Sequence, residues 1–234
     1  MKLLIVFRGG YLRSVPEKVS KNIQEKIYGP LDSANISHDT VLYTYNTDLA
    51  VLGTWKECLH AKTIHITEQG PNQILNFKQA IEHIAIKYTD YDYVVFLRFD
   101  IIYKVDILQW NIFGRSGLFF PYKENCPENC RSFLHYNLYS DIILCVSNEY
   151  LLRVSDAVNC ATDAEFPNQG TLHNLATILR NRDMNVPILT LMEGFYQSNT
   201  SIEANDPRIS PLFIMTHVKY NGPDRHMYEQ FLSK

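Results

Sequence analysis

A chain of 234 residues that is 46% hydrophobic and only 20% charged can bury a sizeable core, which excludes extended disorder. A formal net charge of −3, with no run of Lys or Arg, excludes broad electrostatic binding to nucleic acid or an acidic membrane surface. No apolar stretch approaches the roughly 18 residues of a membrane helix, so the reading is a soluble, cytoplasmic protein without a transmembrane segment.

Residues 3–7 form an apolar run that Arg8-Gly9-Gly10 cuts short. It is too short for the core of a signal peptide and reads as a first core strand followed by a tight loop. Residues 15–27 read as a helix, with Ser14 as N-cap, Pro16 and Glu17 in the first turn, and Gly29-Pro30 as the stop. Residues 40–45 are β-rich, and 63–67 alternate like a short third strand. After the turn signal Gln69-Gly70-Pro71-Asn72, apolar residues Ile74, Phe77, Ile81, Ile84 and Ala85 recur at helical spacing, predicting an amphipathic helix over 73–88. Residues 93–97 are continuously apolar, the mark of a strand buried on both faces, and end abruptly in Arg98-Phe99-Asp100. Beyond lie a short strand at 117–121, a long polar loop at 122–136 and a buried strand at 141–146. Asn148 opens a helix to about 158, and 169–182 is a further helix. A late strand at 186–191, a loop rich in Asn, Ser and Pro at 197–211, and a last apolar run at 212–217 complete the chain. Without a repeat or a clear linker, the reading is one domain over 1–234, with a nucleotide-binding part at about 1–105 and an acceptor-side part at about 106–234.

The five cysteines are odd in number and scattered, unlike a secreted disulfide framework. Cys126 and Cys130 are a close pair. Zinc would need two more ligands, and His135 is the nearby candidate, so the reading is a surface loop with free thiols or a local disulfide.

Strands alternating with helices over the first hundred residues imply βαβ units and a mainly parallel sheet, which binds ligands at the carboxyl ends of its strands. Three polar clusters fall at such ends: Gly9 to Arg13, Arg98 to Asp100, and His217 onward. Side chains two apart on a strand point the same way, so Arg98 and Asp100 should share a face and Phe99 should turn to the other. Such a pair could grip a diphosphate and a divalent cation, or could simply be an ion pair closing the strand. Gly9 and Gly10 let backbone approach a ligand, and Arg13 near a helix start suits an anion; the bland alternative is a tight turn with surface arginines. The pattern is neither GxGxxG nor a P-loop. His217 and Lys219 offer a metal ligand and a phosphate-binding ammonium. Asp141 heads a buried strand and could be a base or a cap. Glu165, His173 and Glu193 are weaker candidates of the same kind.

The chain resembles small nucleotide-sugar glycosyltransferases of the GT-A type, in particular bacterial and viral polysaccharide-type proteins with Arg-x-Asp in place of Asp-x-Asp. The resemblance rests on residues 4–14, 91–100 and 140–147, within roughly 1–160. It implies a GT-A-like, Rossmann-type α/β fold with a mostly parallel central sheet flanked by helices. It also implies a hexosyl- or pentosyltransferase of polysaccharide biosynthesis, with a nucleotide-sugar donor, a glycan or glycoconjugate acceptor, and Mn²⁺ or Mg²⁺. The resemblance gives Asp100 the role of the metal-binding carboxylate and makes His217 the candidate second ligand. Arg98 stands where the first carboxylate is usual, so it could itself offset the charge of the departing nucleoside diphosphate. Gly9, Gly10, Arg13, Arg98 and Lys219 become donor-binding candidates. For an inverting reaction, Asp141 is the candidate base. Two alternatives stay open: a non-catalytic nucleotide-sugar or carbohydrate-binding module, and a nucleotidyltransferase.

Overall fold

The computed structural model describes residues 1–10, 16–45, 48–67, 73–124, 139–140, 142–161, 172, 175–196 and 210–215. Strand β1 (Lys2–Arg8) lies between β2 (Ser37–Thr44) and β4 (Tyr93–Arg98), parallel to both. β3 (Thr63–Ile66) extends the sheet beyond β2. On the other side follow β8 (Leu144–Ser147), β6 (Leu118–Phe120) and β9 (Ile188–Thr190), giving a seven-stranded sheet in the order β3-β2-β1-β4-β8-β6-β9. Only β8 runs antiparallel to its neighbours. Two small ladders flank it: β7 (Lys123–Glu124) with β10 (Phe195–Tyr196), and β5 (Ile101–Tyr103) with β11 (Phe213–Met215).

The period-2 alternation of the strands sorts their side chains into two cores, one on each face of the sheet. Leu3, Ile5 and Phe7 of β1, with Val95 and Leu97 of β4, join one core; Leu4, Val6, Val94 and Phe96 join the other. The first face is covered by α1 (Pro16–Ile23), α2 (Gly29–Ser33) and α3 (Leu49–Cys58), which contribute Val19, Ile23, Leu31, Leu52 and Trp55. The second is covered by α4 (Gln73–Lys87), α5 (Asn148–Cys160) and α6 (Leu175–Asn181). All the predicted strands are present, several trimmed or shifted by a few residues.

Gly29-Pro30 does not stop the first helix. A π-turn at Gln24–Tyr28 leads into α2, with Pro30 in the first turn of that helix. The Gly29 N–H reaches back to the Gln24 carbonyl, and this wider turn accommodates a proline that an uninterrupted α-helix would reject. Helix α3 is absent from the sequence expectations. Its signal is Asp48, whose carboxylate accepts from the Ala50 and Val51 N–H groups at 3.1 and 3.2 Å as an N-cap. No helix among the described residues is long and apolar enough to cross a membrane.

Candidate active site

The central parallel strands β1 and β4 both end in arginine, and the ladder pairs Arg8 directly with Arg98. The same level of the sheet continues outward: Arg8 pairs with Tyr43 on β2, and Tyr43 with His65 on β3. Register partners in a sheet point to the same face, so His65, Tyr43, Arg8 and Arg98 form one transverse row at the carboxyl edge. They lie on the face covered by α4. There Phe77 places its ring 5.3 Å from the Arg8 guanidinium, and His83 Nδ1 meets the Tyr43 hydroxyl at 2.7 Å. The His65 ring stacks on Tyr43 with centroids 4.6 Å apart and meets His83 edge-on at 4.5 Å. Burial, then the neighbouring charges, hold both histidines below the ordinary imidazole range; Lys87 acts on both, and His83 also on His65.

Beyond Arg98 the chain turns out of the sheet. Phe99 goes to the opposite core, 5.7 Å from Phe7 and 5.1 Å from Trp55 between ring centroids, and is fully buried. Asp100 comes back to Arg98. Arg98 Nε donates to Asp100 Oδ1 at 2.8 Å and a terminal guanidinium nitrogen donates to Oδ2 at 2.7 Å, a bidentate fork. The Asp100 side chain is 3% exposed and that of Arg98 18%. The expected division of faces is therefore present, and so is the ion pair that closes the strand. Next along the chain, Tyr103 is wholly buried, and its hydroxyl has no hydrogen-bond partner among the described residues. Burial pushes this phenol well up; the Asp100 charge adds to the effect and the Arg98 charge opposes it.

Gly9 follows Arg8 with φ +97°, a conformation L residues rarely adopt, and its N–H donates to the Tyr43 carbonyl at 3.1 Å. Gly10 is the next residue and is half-buried. The glycine pair thus leaves the edge between β1 and β2. Arg8 itself is 6% exposed and belongs to the strand, so it is not the surface arginine of the bland alternative. Its signal in the sequence is parity: it continues the Leu4, Val6 series, whose face α4 covers. Tyr43 and His65 were also missed, because a row across strands has no spacing within any one of them, and so was His83, which meets them from α4.

Arg13, Asp141, Glu165, His173, His217 and Lys219 lie outside the described residues, as do Cys126, Cys130 and His135. Glu193 is described, and it is exposed in the turn before β10. β11 pairs Met215 with Ile101, the residue after Asp100. The Mn²⁺ or Mg²⁺ that the resemblance implies finds a poor donor set among the described residues. No three His, Cys, Asp or Glu side chains there are grouped to share a metal ion, and both Asp100 oxygens already face a guanidinium.

This is a mixed α/β fold with a mostly parallel seven-stranded sheet flanked by helices, and its charged cluster lies at the carboxyl edge of the central strands. No protein-family model matches the chain, and no curated protein matches it. Among solved structures, it is similar to the nucleoside-diphosphate-sugar pyrophosphorylase from Vibrio cholerae RC9, at a TM-score of 0.53 and 13% identity, over 82% of this chain and 92% of that one. A variant of Drosophila beta1,4-galactosyltransferase 7, solved with manganese, UDP-Gal and xylobiose, is similar at a TM-score of 0.49 and 14% identity, over 97% of this chain and 79% of that one.

Proposed function

We propose that the chain is a glycosyltransferase that moves a sugar from a nucleotide-diphosphate sugar to a glycan or other hydroxyl acceptor. The observation that carries this reading is the placement of Arg8, Gly9, Arg98 and Asp100 together at the carboxyl edge of parallel strands β1 and β4. That edge is where doubly wound sheets bind nucleotides, and positive charge there offsets the charge growing on a departing nucleoside diphosphate. In this reading Gly9, Gly10 and Arg13 form the loop beside the diphosphate, and Arg98 and Lys219 supply cationic contacts. Asp100 fixes Arg98 or, together with His217, holds a cation. Asp141 accepts the proton of the acceptor hydroxyl.

A second reading, nucleotidyl transfer, is favoured by the Vibrio pyrophosphorylase fold likeness. Calorimetry with UDP-, GDP- and TDP-sugars, followed by product analysis, separates the readings. Transfer of the sugar to an added acceptor, lost in Asp100→Ala, supports the proposal. Release of pyrophosphate from a nucleoside triphosphate and a sugar phosphate supports the second reading. Donor binding with no turnover across an acceptor panel indicates a binding module, and no donor binding at all sinks the proposal.

A further inference from the structure

Arg8 and Arg98 are register partners on adjacent parallel strands, roughly 4.8 Å apart along the hydrogen-bonding direction, with side chains on one face. Each is held by its own device. Asp100 grips one edge of the Arg98 guanidinium through two hydrogen bonds, which fixes its plane. Phe77 lies against the Arg8 guanidinium from α4. A divalent cation placed on Asp100 would meet the Arg98 guanidinium across the same two oxygens and a second guanidinium one strand away. Like charges at that range repel, most strongly where water is scarce, and the Asp100 side chain is 3% exposed. An anion with two charged groups meets the opposite situation, because two neighbouring guanidiniums suit the two phosphoryl groups of a diphosphate.

We infer that Arg8 and Arg98 together form a diphosphate site that works without a divalent cation, and that Asp100 is a positioning residue for Arg98 rather than a metal ligand. This rests on the nucleotide-sugar reading for the identity of the ligand, though not for its charge. It replaces the expected metal with two side chains and assigns Arg8 a role that the motif alone does not suggest.

Calorimetric titration of the full chain with UDP, GDP and inorganic pyrophosphate, each in EDTA and again with Mn²⁺, tests this. The expected result is binding in EDTA that Mn²⁺ does not tighten. Arg8→Met and Arg98→Met should each weaken it by about tenfold or more, the scale of one charge-assisted hydrogen bond, while Arg8→Lys loses less. Circular dichroism melts confirm that each variant is folded, and Arg8→Lys keeps the test open if Arg8→Met is not. Asp100→Asn should weaken binding in the wild-type background and add nothing to Arg98→Met, because its effect passes through Arg98. A purely structural role would lower the melting temperature without that non-additivity. Binding that requires Mn²⁺, disappears in Asp100→Asn and survives Arg8→Met overturns the inference. If pyrophosphate binds in EDTA through both arginines but no nucleoside diphosphate binds, the inference stands and the nucleotide-sugar reading fails. If neither binds in EDTA, the inference fails, and binding of a nucleotide sugar with Mn²⁺ would leave the functional reading intact.

Discussion

Tyr103 carries a cost that single-residue replacement can measure. Its hydroxyl is fully buried and makes no hydrogen bond among the described residues, so folding strips it of water without return. Tyr103→Phe keeps the ring that packs 5.8 Å from Trp110 and removes only the orphaned group. The expected outcome is a stabilisation of about 1 kcal/mol in urea unfolding, the low end of the penalty for an unsatisfied buried hydroxyl. Loss of stability on that replacement would mean the hydroxyl does have a partner in solution. The same arithmetic explains why Asp100 is tolerated in the interior. A carboxylate so little exposed would be costly alone, and the Arg98 fork satisfies both of its oxygens.

At the level of elements, α1 and β5 are joined by one side chain that acts like a strand. Asn22 Oδ1 accepts from the Tyr103 N–H at 2.7 Å, and Asn22 Nδ2 donates to the Tyr103 carbonyl at 2.9 Å. β5 pairs with β11 on one side, and this clamp supplies both further bonds at Tyr103 in a buried setting. Asn22→Ala leaves a donor and an acceptor buried and unpaired, so it should cost about 2–3 kcal/mol and speed hydrogen exchange at the Tyr103 amide. An unchanged exchange rate would show that the clamp is not what holds β5. The junction of β2, β3 and α4 behaves differently, because it is titratable. His65 and His83 are held below the ordinary imidazole range, chiefly by burial, so the folded state binds fewer protons than the unfolded one in acid. Their contribution is absent above about pH 6.5 and turns destabilising as pH falls below that value. Urea midpoints measured between neutral pH and pH 5 should decline, and His65→Gln with His83→Gln should flatten the decline. A double variant with the parent's slope would assign the acid loss to other groups.

Across the whole molecule, the sheet separates two cores, and its inner strands are buried on both faces. Cys145 sits there on β8, wholly buried, and burial pushes its thiol far above the ordinary range, so it is a protonated, unreactive group in the native state. Cys160, at the end of α5, is exposed. Native-state thiol labelling should therefore modify Cys160 promptly and leave Cys145 until global unfolding, with a rate that follows stability across denaturant. Early labelling of Cys145 would mean that β8 opens locally. The strands were legible in the sequence because continuous apolar runs such as residues 93–97 are what burial on both faces requires, and alternation with helices implied their parallel order. The parity of Arg98 and Asp100 was legible for the same local reason. The π-turn before Pro30 was not, since its wider hydrogen bonds leave no compositional mark, and α3 was missed although Asp48 announces it. The row of His65, Tyr43, Arg8 and Arg98 was beyond reach, because the register that aligns them exists only between strands once they are paired. A strand's own sequence determines which of its side chains share a face, whereas only the assembled sheet determines which strands those side chains stand beside. The charged end of β4 belongs to the first kind of knowledge, and its second arginine, Arg8, to the second.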